Sequence, residues 1–278
     1  MMPPLPKGCP PLLYGTAWKE GDTERCTALA LRAGFRGIDT ANQRKHYFEE
    51  GVGRAVQEAL ARGLVRRDDL FLQTKFTFAG GQDARLPYDP RAPIAEQVAQ
   101  SFESSLGHLG VSTLDSLVLH GPSRATGLGP DDQEAWRAME ALARSGRVRS
   151  IGVSNVSAEQ LAALLALAEV PPRWVQNRCY ARRGWDAEVR ALCREHGLVY
   201  QGFSLLTANP GVLAHPDVAA IAGWRRWTPA QVVLRFAIDV GMLPLTGTRD
   251  PEHMRQDLDV AGAPPLGPGE VASVERAR

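Results

Sequence analysis

Residues Gly34 to Gly53 read GFRGIDTANQRKHYFEEGVG. A short apolar run, Phe35 to Ile38, stops at Asp39 and Thr40, and a polar stretch then carries His46 and Tyr47 into a helical segment from about Phe48 to Arg62. An acid at the C-terminal tip of a strand, with a phenol a few residues later, is where α/β enzymes place reactive side chains.

The same strand-then-helix unit recurs on both sides of this stretch. Before it, Leu12 to Tyr14 is a strand closed by Gly15, and Glu24 to Ala33 is an alanine- and leucine-rich helix with Asp22 or Thr23 as its cap. After it come the strand Leu70 to Thr74 ending on Lys75, a loop rich in Gly, Asp and Pro (76–93), and the helix Ile94 to Leu109. Leu114 to Leu119 ends on His120 and is followed by a helix, Asp131 to Ser145, stopped by Gly146. Val148 to Val153 ends on Ser154 and Asn155, with a helix over Ala158 to Ala168.

Trp174 and Val175 lead to Gln176 and Asn177, before a helix over Trp185 to His196. Leu198 to Phe203 ends on Ser204, and Thr228 caps a helix to Val240 with Pro229 at its first position. Met242 to Thr246 is the last strand and Pro251 to Leu258 the last helix. Eight alternations without a long linker predict a (β/α)8 TIM barrel occupying residues 1–278 as one domain. Residues 1–11, with five prolines, read as an irregular entry segment, 76–93 as a long active-site loop, and 261–278 as a tail covering the surface. No GxGxxG follows an early strand, which removes the usual Rossmann fingerprint.

Composition fits this class. Of 278 residues 44% are hydrophobic and 23% charged, with a net charge of +1, so a large core is available and no basic excess steers the chain to nucleic acid. Four scattered cysteines, Cys9, Cys26, Cys179 and Cys193, form no CxxC pair and argue against a zinc site or a disulfide scaffold. No apolar run approaches the roughly 18 residues of a membrane span, and the proline-rich start does not read as a signal peptide. A cytoplasmic protein is expected, with no membrane or nucleic-acid partner and no metal.

Barrel enzymes work at the C-terminal face, so the polar residues closing the strands converge on one mouth: Asp39, Lys75, His120, Asn155, Gln176 and Ser204, with Tyr47 just beyond. Singly, each has an ordinary reading as a turn or strand-end residue. Together an acid, a cation, an imidazole and a phenol form a proton-delivery set, in which a Lys beside a Tyr favours the phenolate and an Asp keeps that Lys charged.

Several pieces in order then carry a resemblance. They are GTAWK (Gly15 to Lys19), GFRGIDTA (Gly34 to Ala41), Thr74-Lys75, LDSLVLH (Leu114 to His120), GRVRSIGVSN (Gly146 to Asn155), WVQ (Trp174 to Gln176) and GFSLL (Gly202 to Leu206). The chain resembles the aldo-keto reductases from Gly15 to Asp257.

The resemblance implies an NADPH-dependent reduction of a small aldehyde or ketone, with NADH as a possible substitute. It also implies a monomer and a catalytic tetrad of Asp39, Tyr47, Lys75 and His120. By the same analogy Ser154, Asn155 and Gln176 hold the nicotinamide carboxamide and Phe203 stacks on its face. Thr16, Ser204 and Leu206 line the rest of the cofactor's path, Thr248 and Arg249 clamp a 2′-phosphate, and Gln256 and Asp257 reach the adenine. Trp18, His46, Phe76, Phe78 and Tyr180 are the expected substrate-pocket residues. Three departures from the family pattern stand out: the acid and phenol are eight residues apart rather than five, Phe203 replaces a Tyr, and Gly247 stands where a Lys is common. An NADP(H)-binding sensor module on the same fold is the alternative reading. A barrel for a phosphorylated metabolite or a metal ranks last, for want of a ligand cluster.

Overall fold

The computed structural model describes residues 3–6 and 8–278. Eight strands, β1 (Leu13–Gly15), β2 (Gly37–Asp39), β3 (Phe71–Phe76), β4 (Ser116–Leu119), β5 (Ile151–Ser154), β6 (Trp174–Arg178), β7 (Val199–Phe203) and β8 (Met242–Thr246), close into a parallel barrel in sequence order. The ring shuts where Leu13 and Tyr14 of β1 pair with Leu245 and Thr246 of β8. Around it run α1 (Thr23–Ala33), α2 (Glu49–Ala61), α3 (Ile94–Leu109), α4 (Pro130–Arg144), α5 (Ala158–Leu167), α6 (Ala187–Glu195), α7 (Pro210–Leu213), α8 (Pro216–Arg225), α9 (Pro229–Asp239), α10 (Pro251–Gly262) and α11 (Pro268–Arg276). The barrel expected from the alternation is the barrel observed.

Side chains alternate across a strand, and the alternation sorts this barrel into layers. At its bottom Leu13, Phe71, Trp174, Val199 and Leu243 form a closed apolar cluster, with Phe71 and Trp174 edge to face at 5.1 Å. Two residues further along β3, β6 and β7 the lining turns polar, with Gln73, Gln176 and Gln201 fully or almost fully buried. Two further still stand Lys75, Arg178 and Phe203, at the mouth. The bottom is stoppered by the entry segment, whose Leu5 and Cys9 pack on the apolar cluster, while Arg173 donates to the Pro4 carbonyl. Residues 1, 2 and 7 of the segment predicted to be irregular lie outside the described residues.

The outer layer obeys local signals where they are strong. Thr228 and Ser157 accept from the backbone N–H groups of Gln231 and Gln160, and both glutamines return the bond, closing two capping boxes. Gly53 is required by proximity rather than by conformation: a Cβ there would lie 1.9 Å from the His108 carbonyl oxygen, because α2 and α3 touch backbone to backbone.

Three expectations are corrected. The helix predicted from Trp185 begins at Ala187, since Trp185 and Asp186 both have left-handed φ (57° and 56°) and belong to a kinked 3-10 segment. The tail 261–278 does lie over the surface, but it contains a helix that was not expected: α11 packs on α8 and α9, and Val274 and the following Ala277 are fully buried. Between Ser204 and Thr228, two helices, α7 and α8, fill a stretch for which no element was expected.

Candidate active site

Register sets the site. Asp39 pairs with Gln73 across β2 and β3, so Lys75 projects one layer higher, above the carboxylate. The Lys75 ammonium donates to both Asp39 oxygens at 2.7 Å and to the Thr40 carbonyl at 2.8 Å. Three acceptors exhaust its three N–H bonds, and no hydrogen bond joins it to Tyr47. It lies instead 5.1 Å from the centre of the Tyr47 ring, while His120 meets that ring edge-on at 5.8 Å.

The eight-residue step from Asp39 to Tyr47 is absorbed by a turn. The Gln43 carbonyl accepts from the backbone N–H of both His46 and Tyr47, folding the chain back so that the phenol faces the mouth. The loop is held from several sides: Asn42 Nδ2 donates to the Ser101 carbonyl, Gln43 Nε2 to that of Gly81, and Trp18 N–H to that of His46. Trp18 also stacks on His46, with ring centres 3.8 Å apart.

Burial dominates the electrostatics. It pushes the Tyr47 phenol upward, reinforced by the Asp39 charge and only partly opposed by Arg178. The sequence expectation that this phenol is drawn toward neutral pH is therefore corrected, because burial and the Asp39 charge hold it above its ordinary value. Burial likewise lowers Lys75, against the pull of Asp39. His120 falls to about 3, through burial and then the Lys75 charge, and is neutral at working pH. Its Nδ1 is 2.6 Å from Thr77 Oγ1, which leaves Nε2 for the cavity.

The mouth opens into a cavity of about 1220 Å³. Its wall includes Trp18, Asp39, His46, Tyr47, His120, Ser154, Asn155, Gln176, Tyr180, Phe203, Ser204, Leu206, Thr248 and Arg249, so most of the residues expected from sequence are brought together. That volume exceeds the roughly 300–1,000 Å³ usual for one small ligand.

Others do not reach it. Phe76 is buried between Phe78 and Tyr88, at 5.2 and 5.6 Å, on the helix-facing side of β3, and Phe78 packs with it. No residue of 76–93 lines the cavity; Tyr88 Oη and Gln82 Nε2 tie the loop to the carbonyls of Thr77 and Asn42. Thr16 is fully buried and donates to the Asp39 carbonyl. Asp257 is buried under β8, accepts from Thr246 Oγ1 at 2.5 Å and is raised by burial to about 6. Gln256 donates to Glu252 and lines no part of the cavity.

Sequence reading also passed over residues that matter here. Lys19 is almost wholly buried and donates to the carbonyls of Gly15 and Gly247, both at 2.9 Å. A Cβ on Gly247 would come within 3.2 Å of that ammonium, so the glycine makes room for a cation delivered from β1. Lys19 has no carboxylate partner among the described residues, and burial lowers it to about 8. Arg249 lies alongside, held by the Trp18 carbonyl at 2.6 Å.

Fold and site together define a closed parallel (β/α)8 barrel with an acid, an ammonium, a phenol and an imidazole gathered at its mouth. The family follows from comparison. The sequence pattern of the aldo/keto reductase family matches residues 14–278, and the chain belongs to that family. An aldo-keto reductase of Mycolicibacterium vanbaalenii is 32% identical over 246 residues, covering 87% of this chain and 78% of that one. The D-galacturonate reductase of Fragaria ananassa is 30% identical over 273 residues, 88% of this chain and 79% of the relative. Among solved structures, a Bombyx mori aldo-keto reductase in complex with NADP superposes with a TM-score of 0.80 at 25% identity, covering 99% of this chain and 93% of that one.

Proposed function

We propose that this protein reduces an aldehyde or ketone to the alcohol with NADPH, Tyr47 supplying the proton. The observation that carries the reading is the convergence of Tyr47, His120 and the Asp39 and Lys75 pair beside one large cavity.

The residues present fit the cofactor. Gln176 commits its Nε2 to Asp39 and Gln201, both at 2.9 Å, which turns its carbonyl oxygen toward the cavity as an acceptor for a carboxamide N–H. Asn155 Nδ2 is held by the His120 carbonyl and Ser154 Oγ, so its Oδ1 is the atom left to meet the same group. Phe203 offers an aromatic face, which is what stacking requires. Lys19, without an acid partner among the described residues, together with Arg249 forms a cationic corner for phosphate at the junction of β1 and β8. NADPH complexes in the family and the named relatives support the same reading.

Carbonyl reduction needs a hydride at carbon, which is the chemistry NADPH supplies when bound, and a proton at oxygen. His120, neutral and fixed through Nδ1 by Thr77, presents Nε2 to the carbonyl oxygen. Tyr47 retains its proton at neutral pH because burial disfavours the phenolate, and releases it to that oxygen as negative charge develops there. The Lys75 ammonium under the ring stabilises the phenolate left behind, and Asp39 keeps the ammonium charged. The alcohol carries both hydrogens transferred, the hydride on carbon and the proton on oxygen, and proton uptake from water resets the phenolate to the phenol.

The test is loss of NADPH fluorescence with a panel of aldehydes and ketones. Turnover of at least one class is expected. Tight NADPH binding without turnover across the panel would instead favour a sensor module.

A further inference from the structure

The polar layer beneath the tetrad consists of three primary amides where barrels of this kind ordinarily pack branched apolar side chains. Gln73, on β3, and Gln201, on β7, face each other across the lumen and are both completely buried; Gln176, on β6, is 3% exposed. We propose that Gln73 and Gln201 are positioning residues, a directional amide ring that locks the Asp39 carboxylate and fixes Gln176 with its carbonyl toward the cofactor.

The direction of every bond follows from Asp39. A carboxylate only accepts, so the NH2 groups of Gln73 and Gln176 must point at it, and they lie 2.7 and 2.9 Å from Oδ1. The second N–H of each reaches Gln201 Oε1, at 2.8 and 2.9 Å, which takes up both lone pairs of that oxygen. Gln201 is thereby forced to turn its own NH2 to Gln73 Oε1 at 3.1 Å, where Ser116 Oγ also donates at 2.8 Å. No single amide can flip without setting N–H against N–H or oxygen against oxygen.

Two consequences reach the chemistry. Asp39 Oδ1 receives three donors, Gln73, Gln176 and Lys75, which fix the position of the carboxylate and so of the ammonium under Tyr47. Gln176 is held in the one orientation that offers an acceptor to the cavity. The tetrad and the nicotinamide end of the cavity are thus joined by one hydrogen-bonded unit spanning strands β2, β3, β6 and β7.

This inference rests on the reductase reading above, and its test separates the two. Gln73→Met keeps the volume and removes every donor; Gln73→Glu also removes the amide donors, but its carboxyl regains one O–H when protonated. For folded Gln73→Met, kcat is expected to fall about ten- to a hundredfold, the scale of a small misplacement of reacting groups, and NADPH Kd to rise. For Gln73→Glu, the ratio of its kcat to wild type, and of its NADPH affinity, should climb about tenfold or more from about pH 8 to about pH 5, as the introduced carboxyl takes up a proton and donates to Asp39. The Gln73→Met ratio should stay flat.

If Gln73→Met does not fold, Gln201→Met is measured in its place. Wild-type kcat, KM and Kd in a folded Met variant, or a Gln73→Glu ratio that does not change with pH, would overturn the proposal. So would failure of all three variants to fold, the amides then being structural only. No turnover by the wild-type protein across the carbonyl panel would sink the reductase reading itself, whereas wild-type turnover with unaffected Gln73 variants would sink the amide ring alone.

Discussion

Replacing Lys75 by Met isolates the electrostatic part of the mechanism, because the ammonium touches Tyr47 only through its field. The charge lies 5.1 Å from the ring centre. Coulomb's law at an effective dielectric of about 20 gives about 3 kcal/mol for a unit charge at that separation, equivalent to about two units on the phenol. In alcohol oxidation the phenolate must take the proton, so activity rises with pH as the phenol ionises. Lys75→Met should carry that rise about two units to higher pH and lower kcat at neutral pH about 100-fold. Losing one partner of a buried pair costs about 3–5 kcal/mol of stability, so the melt must be followed in parallel. Asp39→Asn combined with Lys75→Met removes the orphaned charge, and should restore the melt without restoring the rate. The assay is NADPH formation by absorbance across pH, with NADPH Kd from fluorescence. A pH rise at the wild-type position in a folded Lys75→Met protein would refute the argument.

Lys19 makes a second pH prediction. With burial lowering it to about 8, the free protein loses this ammonium above that pH, whereas a bound phosphate would hold the proton on. NADPH affinity should be flat below about pH 8 and fall by up to about tenfold per pH unit above it, and Lys19→Met should abolish the dependence; titration by fluorescence decides, and a wild-type Kd constant from about pH 7 to about pH 10 contradicts it. In the outer layer, Gly53→Ala drives a methyl into the His108 carbonyl at 1.9 Å, backbone that cannot swing aside. A loss of about 3 kcal/mol and a fall in Tm of about 6–10 °C are expected, and an unchanged melt would show that α2 and α3 do not pack this closely.

Strand parity explains which parts of the site could be read from the sequence. Asp39, Lys75 and His120 were legible because each closes an apolar run, and the C-terminal ends of barrel strands meet at one mouth. The same parity, carried through, places Gln73 two residues before Lys75 and Gln201 two before Phe203 on the inward face, and it puts Phe76 on the opposite side from Lys75. Spacing also exposes Asp257, which shares the buried face of α10 with Met254 and Val260 at intervals of three. Other features leave no such trace. The left-handed backbone at Trp185 and Asp186 has no glycine at either position to announce it, and the short α7 and α8 lie within a stretch of mixed small and polar residues. The route of Lys19 to the place beside Gly247 depends on the closure of β1 on β8, 228 residues apart along the chain.

The central claim is that the Tyr47 phenol delivers the proton despite its longer loop, and Tyr47→Phe tests it most directly. Phe preserves the ring over Lys75 and against His120 and removes only the hydroxyl. NADPH Kd should stay at the wild-type value while kcat for carbonyl reduction falls about 10²- to 10⁴-fold, the usual range for a lost general acid. Turnover by Tyr47→Phe at the wild-type rate would contradict the assignment.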